Sequence, residues 1–484
     1  MELADRDLIS IQEARNLINA AHAAQKRLAG MSQAEIDRIC EAMAQAGFEN
    51  AERLAAMACE ETGFGRVEDK IVKNIVGSKM VFESVKDMKT VGMIKEDKEK
   101  RISEVAVPMG VIAALIPSTN PTSTVFFKTI ISIKSANAVV LSPHPGARKC
   151  TIEAAKLMAE TAEAAGCPKG AIGCLETITM QATEELMKHN KIALILATGG
   201  SAMVKAAYSS GNPAIGVGPG NAPAYIERTA DIPLAVKHII QSKTFDNSTL
   251  CTSEQSVVTE EFIRDKVVAE FKRQGAYFLD EREKEKVASI LMRASGTMNP
   301  AIVGKTPQYI ATLADISIPE DTKVIIGFET EVGDKFPFSR EKLCPVLAFY
   351  TERDWESACE LCIRILNNEG AGHTLAIHSK NEDVIREFAL KKPVNRIIVN
   401  TPSTLGATGG TTNLPPSFTL GCGAVGGSSS SDNIGPQHLI NIRRLAYGVR
   451  EFERPSVQAP GKPAALDEDR ILEVVLRRLL EKMK

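Results

Sequence analysis

Short aliphatic runs alternate with helical stretches over most of this chain, and that alternation limits the possible folds more than any other feature. The runs carry almost no charge and are rich in Val, Ile, Leu and Ala, which is typical of strands buried on both faces of a sheet. In the first series, strands are predicted at residues 111–116, 138–141, 192–196 and 214–217, and helices near residues 125–134, 147–165 and 203–209. The pattern predicts an α/β fold built on a parallel sheet.

A second series of the same kind follows residue 226. Its helices are predicted near residues 232–242, 261–274 and 282–293, and its strands near residues 254–258, 324–328, 346–350, 374–378 and 396–399. Since 484 residues suffice for two or three domains, we predict a first domain of residues 1–226 and a second of residues 227–424. Residues 425–453, introduced by a glycine-rich stretch, are predicted to return to the first domain.

Both ends of the chain are predicted to be helical. The first hundred residues indicate consecutive helices, with capping boxes at Ser10 with Glu13 and at Ser32 with Glu35. At the other end, the prolines of residues 454–466 predict a semi-stiff linker, and residues 467–484 predict one amphipathic helix.

The apolar stripe of the tail helix needs something to cover it. The stripe consists of Ile471, Leu472, Val475, Leu476, Leu479 and Met483. Two alternatives remain open: the helix packs on its own or a sister subunit, or it enters a groove of a separate protein partner.

Composition excludes some classes of function. A formal charge of -2 gives no electrostatic case for nucleic-acid binding. Residues 105–127 are uncharged over a length that could span a membrane, but their prolines and polar centre predict a strand, a loop and a helix start instead.

The scattered cysteines and the lack of a basic-then-apolar leader predict a cytosolic protein with free thiols. Cys359 and Cys362 form a lone CxxC pair, which is a weak signal for a metal or redox site.

Cys251 is the strongest candidate for a reactive group. It lies among small and polar residues, whereas a core thiol usually has apolar neighbours. A thiolate reacts and a thiol does not, so a nucleophilic cysteine needs donors that favour charge on sulfur. Such donors could come from Asn247, Ser248, Thr249 and Thr252. A buried, inert cysteine fits this segment equally well, so other segments must decide.

Several polar or glycine-rich segments follow predicted strands, where ligands collect in open α/β sheets. Asn120 could donate to an alkoxide formed by addition to a carbonyl, or it could simply cap the next helix. The segments 198–201 and 216–221 could bring backbone N–H groups close to a phosphate, or they could be tight turns. Glu341 could hold a ribose hydroxyl, or it could be a solvated surface acid.

In order and spacing these segments resemble the aldehyde dehydrogenase superfamily over residues 10–450. The resemblance implies a Rossmann-type cofactor domain, an α/β catalytic domain and a small oligomerisation extension. It implies that Cys251 is the nucleophile and Asn120 the oxyanion amide, with no metal. It also implies a set of cofactor-binding residues: Ser118, Thr119, Pro143, His144, Thr198, Gly199, Gly200, Ser201, Gly216, Val217, Gly218, Glu341 and Pro345.

One departure from the family pattern bears on the reaction. Hydrolytic members carry a glutamate, followed by leucine and two glycines, where this chain has Val217-Gly-Pro-Gly220. A base for activating water is therefore missing, and a thioester on Cys251 would persist until a better nucleophile arrived. A thiol is such a nucleophile, because its pKa is near ~8.5 against roughly 15.7 for water.

The CoA-acylating subfamily shows the same loss, and residues 117–123 and 428–441 also resemble it. Close relatives by resemblance are acetaldehyde and propionaldehyde dehydrogenases of bacterial microcompartments. The resemblance therefore implies NAD and coenzyme A as co-substrates, a short neutral aldehyde, and a homodimer or homotetramer. It further implies a cytoplasmic place inside a microcompartment, with residues 467–484 as an encapsulation peptide that binds a shell protein.

Some alternatives stay open within that resemblance. A sulfonated aldehyde would need a cation such as Lys128 or Arg340, and water or phosphate could replace coenzyme A as the acyl acceptor. His144 stands where many members have an acid or polar residue near the adenosine ribose, so the choice between NAD and NADP is also open.

Overall fold

The structure is a computed structural model that describes residues 5–452 and 467–483. The α-helices of these ranges are α1 (Arg6–Leu28), α2 (Gln33–Glu49), α3 (Ala51–Thr62), α4 (Val67–Ile75), α5 (Val81–Val85), α6 (Pro121–Lys134), α7 (Arg148–Ala164), α8 (Met180–Lys188), α9 (Ser201–Tyr208), α10 (Ile232–Thr244), α11 (Arg264–Arg273), α12 (Glu281–Leu291), α13 (Pro307–Leu313), α14 (Trp355–Asn368), α15 (Glu382–Lys391), α16 (Ser403–Ala407) and α17 (Glu468–Lys482). The strands are β1 (Gly92–Asp97), β2 (Ile102–Pro108), β3 (Val111–Leu115), β4 (Ala138–Ser142), β5 (Ile172–Cys174), β6 (Ile192–Thr198), β7 (Ala214–Val217), β8 (Ala222–Ile226), β9 (Glu254–Glu260), β10 (Ala276–Phe278), β11 (Val324–Phe328), β12 (Val346–Glu352), β13 (Gly372–His378), β14 (Val394–Val399) and β15 (Ile440–Ala446).

The first parallel sheet has the order β5-β4-β3-β6-β7. The chain moves outward from β3 to β5 on one side and from β6 to β7 on the other, so the strand order reverses between β3 and β6. Ligands of open α/β sheets bind outside the carboxyl ends of the strands at such a reversal. The loops that follow β3, β4 and β6 are therefore in the position expected for a ligand.

The second parallel sheet has the order β10-β11-β12-β9-β8-β13-β14. Successive side chains of a strand point to opposite faces. Accordingly, Tyr225 and Val258 belong to one hydrophobic core of this sheet, whereas Ala224 and Val257 belong to another. The sheet is buried on both faces, which explains the uncharged runs that predict it.

The predicted strands and helices of both series are confirmed, with ends shifted by a few residues. The fold class, α/β with parallel sheets, is confirmed as well. Strand β8 had no separate prediction; it ends at the predicted domain boundary near residue 226 and pairs with β9 and β13 of the second sheet. Ile434 and Leu439, from the segment 425–453, are buried in the core of the first sheet.

One of the two predicted capping boxes is confirmed. Ser32 and Glu35 form it at the start of α2. The prediction at Ser10 is wrong, because α1 begins one turn earlier, where the side chain of Asp5 accepts from two backbone N–H groups. Glu13 instead accepts from the N–H groups of residues 176 and 177.

The chain forms two compact units. The first comprises residues 1–95 and 104–443 and contains both parallel sheets. The second comprises residues 96–103 and 444–484 and includes α17. A third sheet has the order β1-β2-β15. Within the described ranges, every helix is too short or too polar to cross a lipid bilayer.

The tail segment is helical where it is described. Helix α17 spans Glu468–Lys482, inside the predicted range 467–484, and all its residues are exposed. The predicted linker, residues 454–466, lies outside the described residues.

Candidate active site

A cavity of about 520 Å³ opens at the carboxyl ends of β3, β4 and β6. Of the predicted cofactor-binding residues, five line it: Pro143, His144, Thr198, Gly199 and Gly200. A Cβ added at Gly200 would meet nothing within 4 Å, so the loop before α9 leaves open space at the start of that helix. Backbone N–H groups at a helix start favour a phosphate. The cavity thus lies at the strand ends where a dinucleotide binds in this type of fold, and it is bordered by a glycine loop that could accept a phosphate.

Most of the cavity wall is apolar and was not predicted. It includes Leu115, Ile116, Ile178, Met180 and Met203. These residues resemble ordinary core side chains in the sequence, and only the fold brings the end of β3 together with the start of α8 and the first turn of α9. His144 accepts from the N–H of Gly146 at 3.0 Å, and burial lowers the pKa of its imidazole, so it contributes no charge near pH 7.

The remaining predicted cofactor residues lie outside this cavity. Ser118 and Thr119 precede Asn120 at the start of α6, and Ser201 begins α9. Gly216 and Val217 end β7, with Gly218 following. Pro345 precedes β12, where its carbonyl accepts from Ile325.

Cys251 follows a turn with an unusual backbone. Asp246, Asn247 and Ser248 have φ angles of 49°, 48° and 68°, which non-glycine residues seldom adopt. The side chain of Asp246 accepts from the N–H of Arg66 at 2.7 Å and from Lys70 at 2.9 Å, which holds the turn in place. The turn delivers Cys251, partly exposed, just before β9.

The polar neighbours of Cys251 do not activate its thiol, and that prediction is wrong. Among the described residues, none of the four donates to the sulfur: Asn247 donates to Gly304, Ser248 bonds Ser253, Thr249 donates to Asp246, and the hydroxyl of Thr252 has no partner. Burial, followed by the charge of Glu341, raises the pKa of Cys251 to about 12. The thiol is therefore protonated at neutral pH in this form.

Gly220 places an acidic side chain beside the nucleophile. Its N–H donates to Oε1 of Glu341 at 2.9 Å, and a Cβ added at Gly220 would lie 1.8 Å from the carbonyl oxygen of Cys251. Burial raises the pKa of Glu341 to about 8, and the nearby charge of Glu369 acts in the same direction. Glu341 is buried, so it is not a solvated surface acid.

Asn120 faces the nucleophile's loop rather than capping a helix. It occupies the N-cap position of α6, but its side chain accepts from no helix N–H group. Its Nδ2 donates to the carbonyl of Thr249 at 3.3 Å and to Oγ1 of Thr119 at 3.1 Å. The amide nitrogen is thus held against the carbonyl of a residue two positions before Cys251.

His373 is a candidate that the sequence interpretation missed. Its Cε1 lies 3.3 Å from the position of a Cβ added at Gly220, and its Nδ1 pairs with Oγ1 of Thr374 at 3.0 Å. Its Nε2 is buried without a partner among the described residues, and burial lowers the pKa of the imidazole to about 3. A lone histidine at the start of a strand carries no sequence signal, so only the fold brings it to the site.

The two cations considered for a sulfonated substrate are both engaged elsewhere. Lys128 is fully buried and donates to the carbonyls of Leu115 and Leu196. Arg340 donates to Gly296 and pairs with Glu369. The cysteines of the CxxC pair are buried on α14, and no group of three or more His, Cys, Asp or Glu residues in the described ranges could hold a metal ion.

Comparison with known proteins identifies the family. The model of the aldehyde dehydrogenase family matches residues 2–285. The chain belongs to the aldehyde dehydrogenase family. It is 43% identical over 442 residues to the bifunctional aldehyde-alcohol dehydrogenase AdhE of Escherichia coli K12, a match that covers 90% of this chain and 50% of that protein. The chain thus spans about half the length of the first curated relatives that it matches.

Another curated relative matches over nearly its whole length. The succinate-semialdehyde dehydrogenase (acetylating) of Clostridium kluyveri is 39% identical, over 93% of this chain and 98% of its own.

Solved structures of aldehyde dehydrogenases share the fold. A probable aldehyde dehydrogenase from Listeria monocytogenes has a TM-score of 0.92 and 62% identity, covering 92% of this chain and 99% of its own. An acetylating aldehyde dehydrogenase from Geobacillus thermoglucosidasius has a TM-score of 0.92 and 56% identity, covering 94% and 100%. A propionaldehyde dehydrogenase from the Clostridium phytofermentans fucose utilisation microcompartment has a TM-score of 0.82 and 29% identity, covering 90% and 97%.

Proposed function

We propose that this aldehyde dehydrogenase is CoA-acylating: it oxidises a short aldehyde, propanal or acetaldehyde, with NAD and passes the acyl group from Cys251 to coenzyme A. One observation carries the proposal. The segment that lies against Cys251 is Val217–Gly220, where a hydrolytic member has its glutamate, and this segment has no carboxylate. The acetylating relatives from Clostridium kluyveri and Geobacillus thermoglucosidasius support the same reaction.

Each residue of the site has a separate role in forming the thioester. The sulfur of Cys251 forms a bond to the aldehyde carbon, and the carbonyl oxygen becomes an oxyanion held by Asn120 Nδ2 and the N–H of Cys251. We assign the thiol proton to one of two buried groups beside Gly220: Nε2 of His373, or Glu341 in its ionised form, which a pKa of about 8 makes the minor form at neutral pH. When bound, NAD supplies the hydride acceptor, which leaves a thioester on Cys251.

Release of the acyl group then depends on what the site lacks. The segment 217–220, which lies against Cys251 at Gly220, offers no base that would activate water. The thioester on Cys251 therefore survives until the thiol of coenzyme A attacks it, which restores the cysteine and conserves the thioester in the product. Because NAD and coenzyme A would occupy one site in turn, we expect ping-pong kinetics.

The nucleotide site favours NAD over NADP. A second cavity of about 570 Å³ adjoins the first at Pro145, and its lining includes two carboxylates, Glu60 and Glu61, against one cation, Lys149. Glu61 already accepts from the N–H groups of Lys149 and Cys150, at 2.7 and 2.8 Å, so the start of α7 is occupied by a carboxylate. A 2′-phosphate placed there would meet negative charge.

Assembly and location follow the same reasoning. The exposed apolar side chains of β15, such as Ile442 and Leu445, support a homodimer or homotetramer. The exposed apolar stripe of α17, together with the microcompartment relative, supports a shell protein as partner of residues 467–484 and a place inside a bacterial microcompartment in the cytoplasm.

The reaction is tested by the acyl acceptor. NADH formation from propanal is measured with coenzyme A, with phosphate and with neither, and the acyl product is identified by mass spectrometry. We expect one turnover per site without coenzyme A, an acyl adduct on Cys251, and steady turnover only with coenzyme A. Equal rates of NADH formation under all three conditions, with propanoate as the product, would show that water is the acyl acceptor. Phosphate-dependent turnover would likewise contradict the proposal.

A further inference from the structure

Lys73 is a buried cation directly behind the oxyanion amide. It lies on α4 and is 2% exposed. Its ammonium group donates to Oδ1 of Asn120 at 2.6 Å, to Oγ1 of Thr249 at 3.0 Å and to the carboxylate of Asp246. A lysine has three N–H donors, so these contacts use all of them.

The contact with Asn120 fixes which way the amide faces. A side-chain amide has a donor end and an acceptor end of nearly the same shape, and a flip exchanges them. Because the ammonium of Lys73 only donates, it must meet Oδ1, and Nδ2 is left facing Thr249 and the loop of Cys251. In the flipped state an oxygen would face the developing oxyanion and repel it.

The charge of Lys73 also acts through the amide. A cation hydrogen-bonded to the amide oxygen draws electron density from the nitrogen, so Nδ2 becomes a stronger donor. The oxyanion donor is thus both oriented and polarised by a group that does not touch the substrate.

The surrounding charges keep Lys73 in place. Asp246 is fully buried and accepts from both Lys73 and Lys70, while the backbone N–H of Asp246 donates to Asp69 at 2.8 Å. Burial alone would raise the pKa of Asp246, yet the charges of Lys73 and then Lys70 hold it below its usual value. Lys70 is a close counterpart of Lys73, but it donates to the carbonyl of Thr119 instead of to Asn120.

We propose that Lys73 is a positioning residue for the acylation step, which holds the Asn120 amide with its N–H groups toward the oxyanion on Cys251. The inference rests on the proposed function of Asn120 and goes beyond it, since it assigns a role to a lysine that lies outside the reacting groups. The distinction from Lys70 makes it testable, because both lysines bind one carboxylate and only Lys73 binds the amide.

A double-mutant cycle separates positioning from a merely structural role. The burst of NADH formed without coenzyme A reports acylation alone and is measured for K73M, N120A and K73M/N120A. We expect N120A to slow the burst about 100-fold or more, as loss of one oxyanion donor does. K73M should slow it at least about tenfold in the wild-type background and by less than about twofold in the N120A background. If the double variant's burst rate is reduced by the product of the two single reductions, the proposal is wrong.

K70M is the matched control. It removes the other cation from Asp246 and leaves the contact between residues 73 and 120 intact, so its effect should multiply with that of N120A. If K70M and K73M behave alike in both backgrounds, the amide contact has no special role and the proposal fails. An N120A enzyme with a normal burst would also refute it, whereas dependence on coenzyme A would be unaffected, so the two proposals fail separately.

A pH profile tests the same idea without a Lys73 variant. Burial lowers the pKa of Lys73 to about 8, against the opposing charge of Asp246, and Lys70 and Asp69 are the other charged groups that act on it. Glu341 ionises in the same pH range and does so in both enzymes, so the wild-type burst rate is divided by that of N120A at each pH. Since the protonated form of Lys73 locks the amide, this ratio should fall as pH rises through about 8. A ratio that stays constant across this range would contradict the role of Lys73.

Discussion

At the scale of single residues, the nucleophile's surroundings depend on missing side chains as much as on present ones. Gly220 is essential because its α-carbon lies against the carbonyl of Cys251, and its N–H binds Glu341. Gly218, two residues earlier, has open space where a Cβ would be. Of these two glycines of one loop, only Gly220 is sterically required to be glycine.

The Gly220→Ala enzyme should lose far more activity than the Gly218→Ala enzyme does. The added methyl group would collide with the Cys251 carbonyl and shift the nucleophile, and a displacement of about 1 Å costs on the order of 100-fold in rate. Steady-state kcat/KM for propanal and the rate of Cys251 alkylation both report the change. Equal kcat/KM values for the two variants would show that the loop tolerates the methyl group.

At the scale of elements, the carboxyl ends of β3, β4 and β6 create the nucleotide cavity, and the helices around it set its charge. Helix α3 brings Glu61 to the first turn of α7, where a carboxylate is stabilised by the free N–H groups. Glu60, on the same helix, lines the adjoining cavity. The proposed preference for NAD thus depends on a helix that is distant in sequence from the glycine loop.

The Glu60→Gln enzyme should use NADP better than the wild type does. The change removes one negative charge from the cavity wall and leaves the cap at α7 intact. We expect the ratio of kcat/KM for NADP to that for NAD to rise severalfold, roughly the effect of one partly screened charge. Glu52→Gln, at the opposite end of α3, is the control. An unchanged ratio in Glu60→Gln would exclude this wall from cofactor selection.

At the scale of the whole molecule, the two units contain different elements. The first unit contains both parallel sheets and every candidate catalytic residue, whereas α17 belongs to the second. Helix α17 has acids in its first turn, a base in its last turn and an apolar stripe that is exposed along its length. An amphipathic helix of this kind is stable when a second surface covers the stripe.

Residues 454–484 fused to a fluorescent protein should co-purify with co-expressed microcompartment shells. Leu472→Glu with Leu479→Glu should abolish this, because both lie on the apolar stripe, and Glu481→Gln should not. If the Leu472→Glu, Leu479→Glu variant still co-purifies with the shells, a shell protein does not bind the apolar stripe. A change of oligomeric state on deleting residues 467–484, measured by light scattering, would instead show that the helix packs on its own or a sister subunit.

Much of the fold was predictable, because strands buried on both faces must be uncharged and aliphatic and therefore stand out along the chain. The small sheet of β1, β2 and β15 was missed, since β1 and β15 are polar and largely exposed and therefore lack the uncharged aliphatic runs of the other strands. Ser10 was misread because a capping pattern carries no information on whether a better cap stands one turn earlier, as Asp5 does.

The sequence by itself determined the α/β class, the family and the candidate roles of Cys251 and Asn120, because periodicity and motif order are properties of the chain. Only the tertiary structure decided that Lys73 meets Asn120 and that His373 and Glu341 flank the nucleophile. These contacts join residues 47 to 153 positions apart, and burial, which shifts the pKa of Cys251 to about 12, exists only once the chain has packed around the thiol.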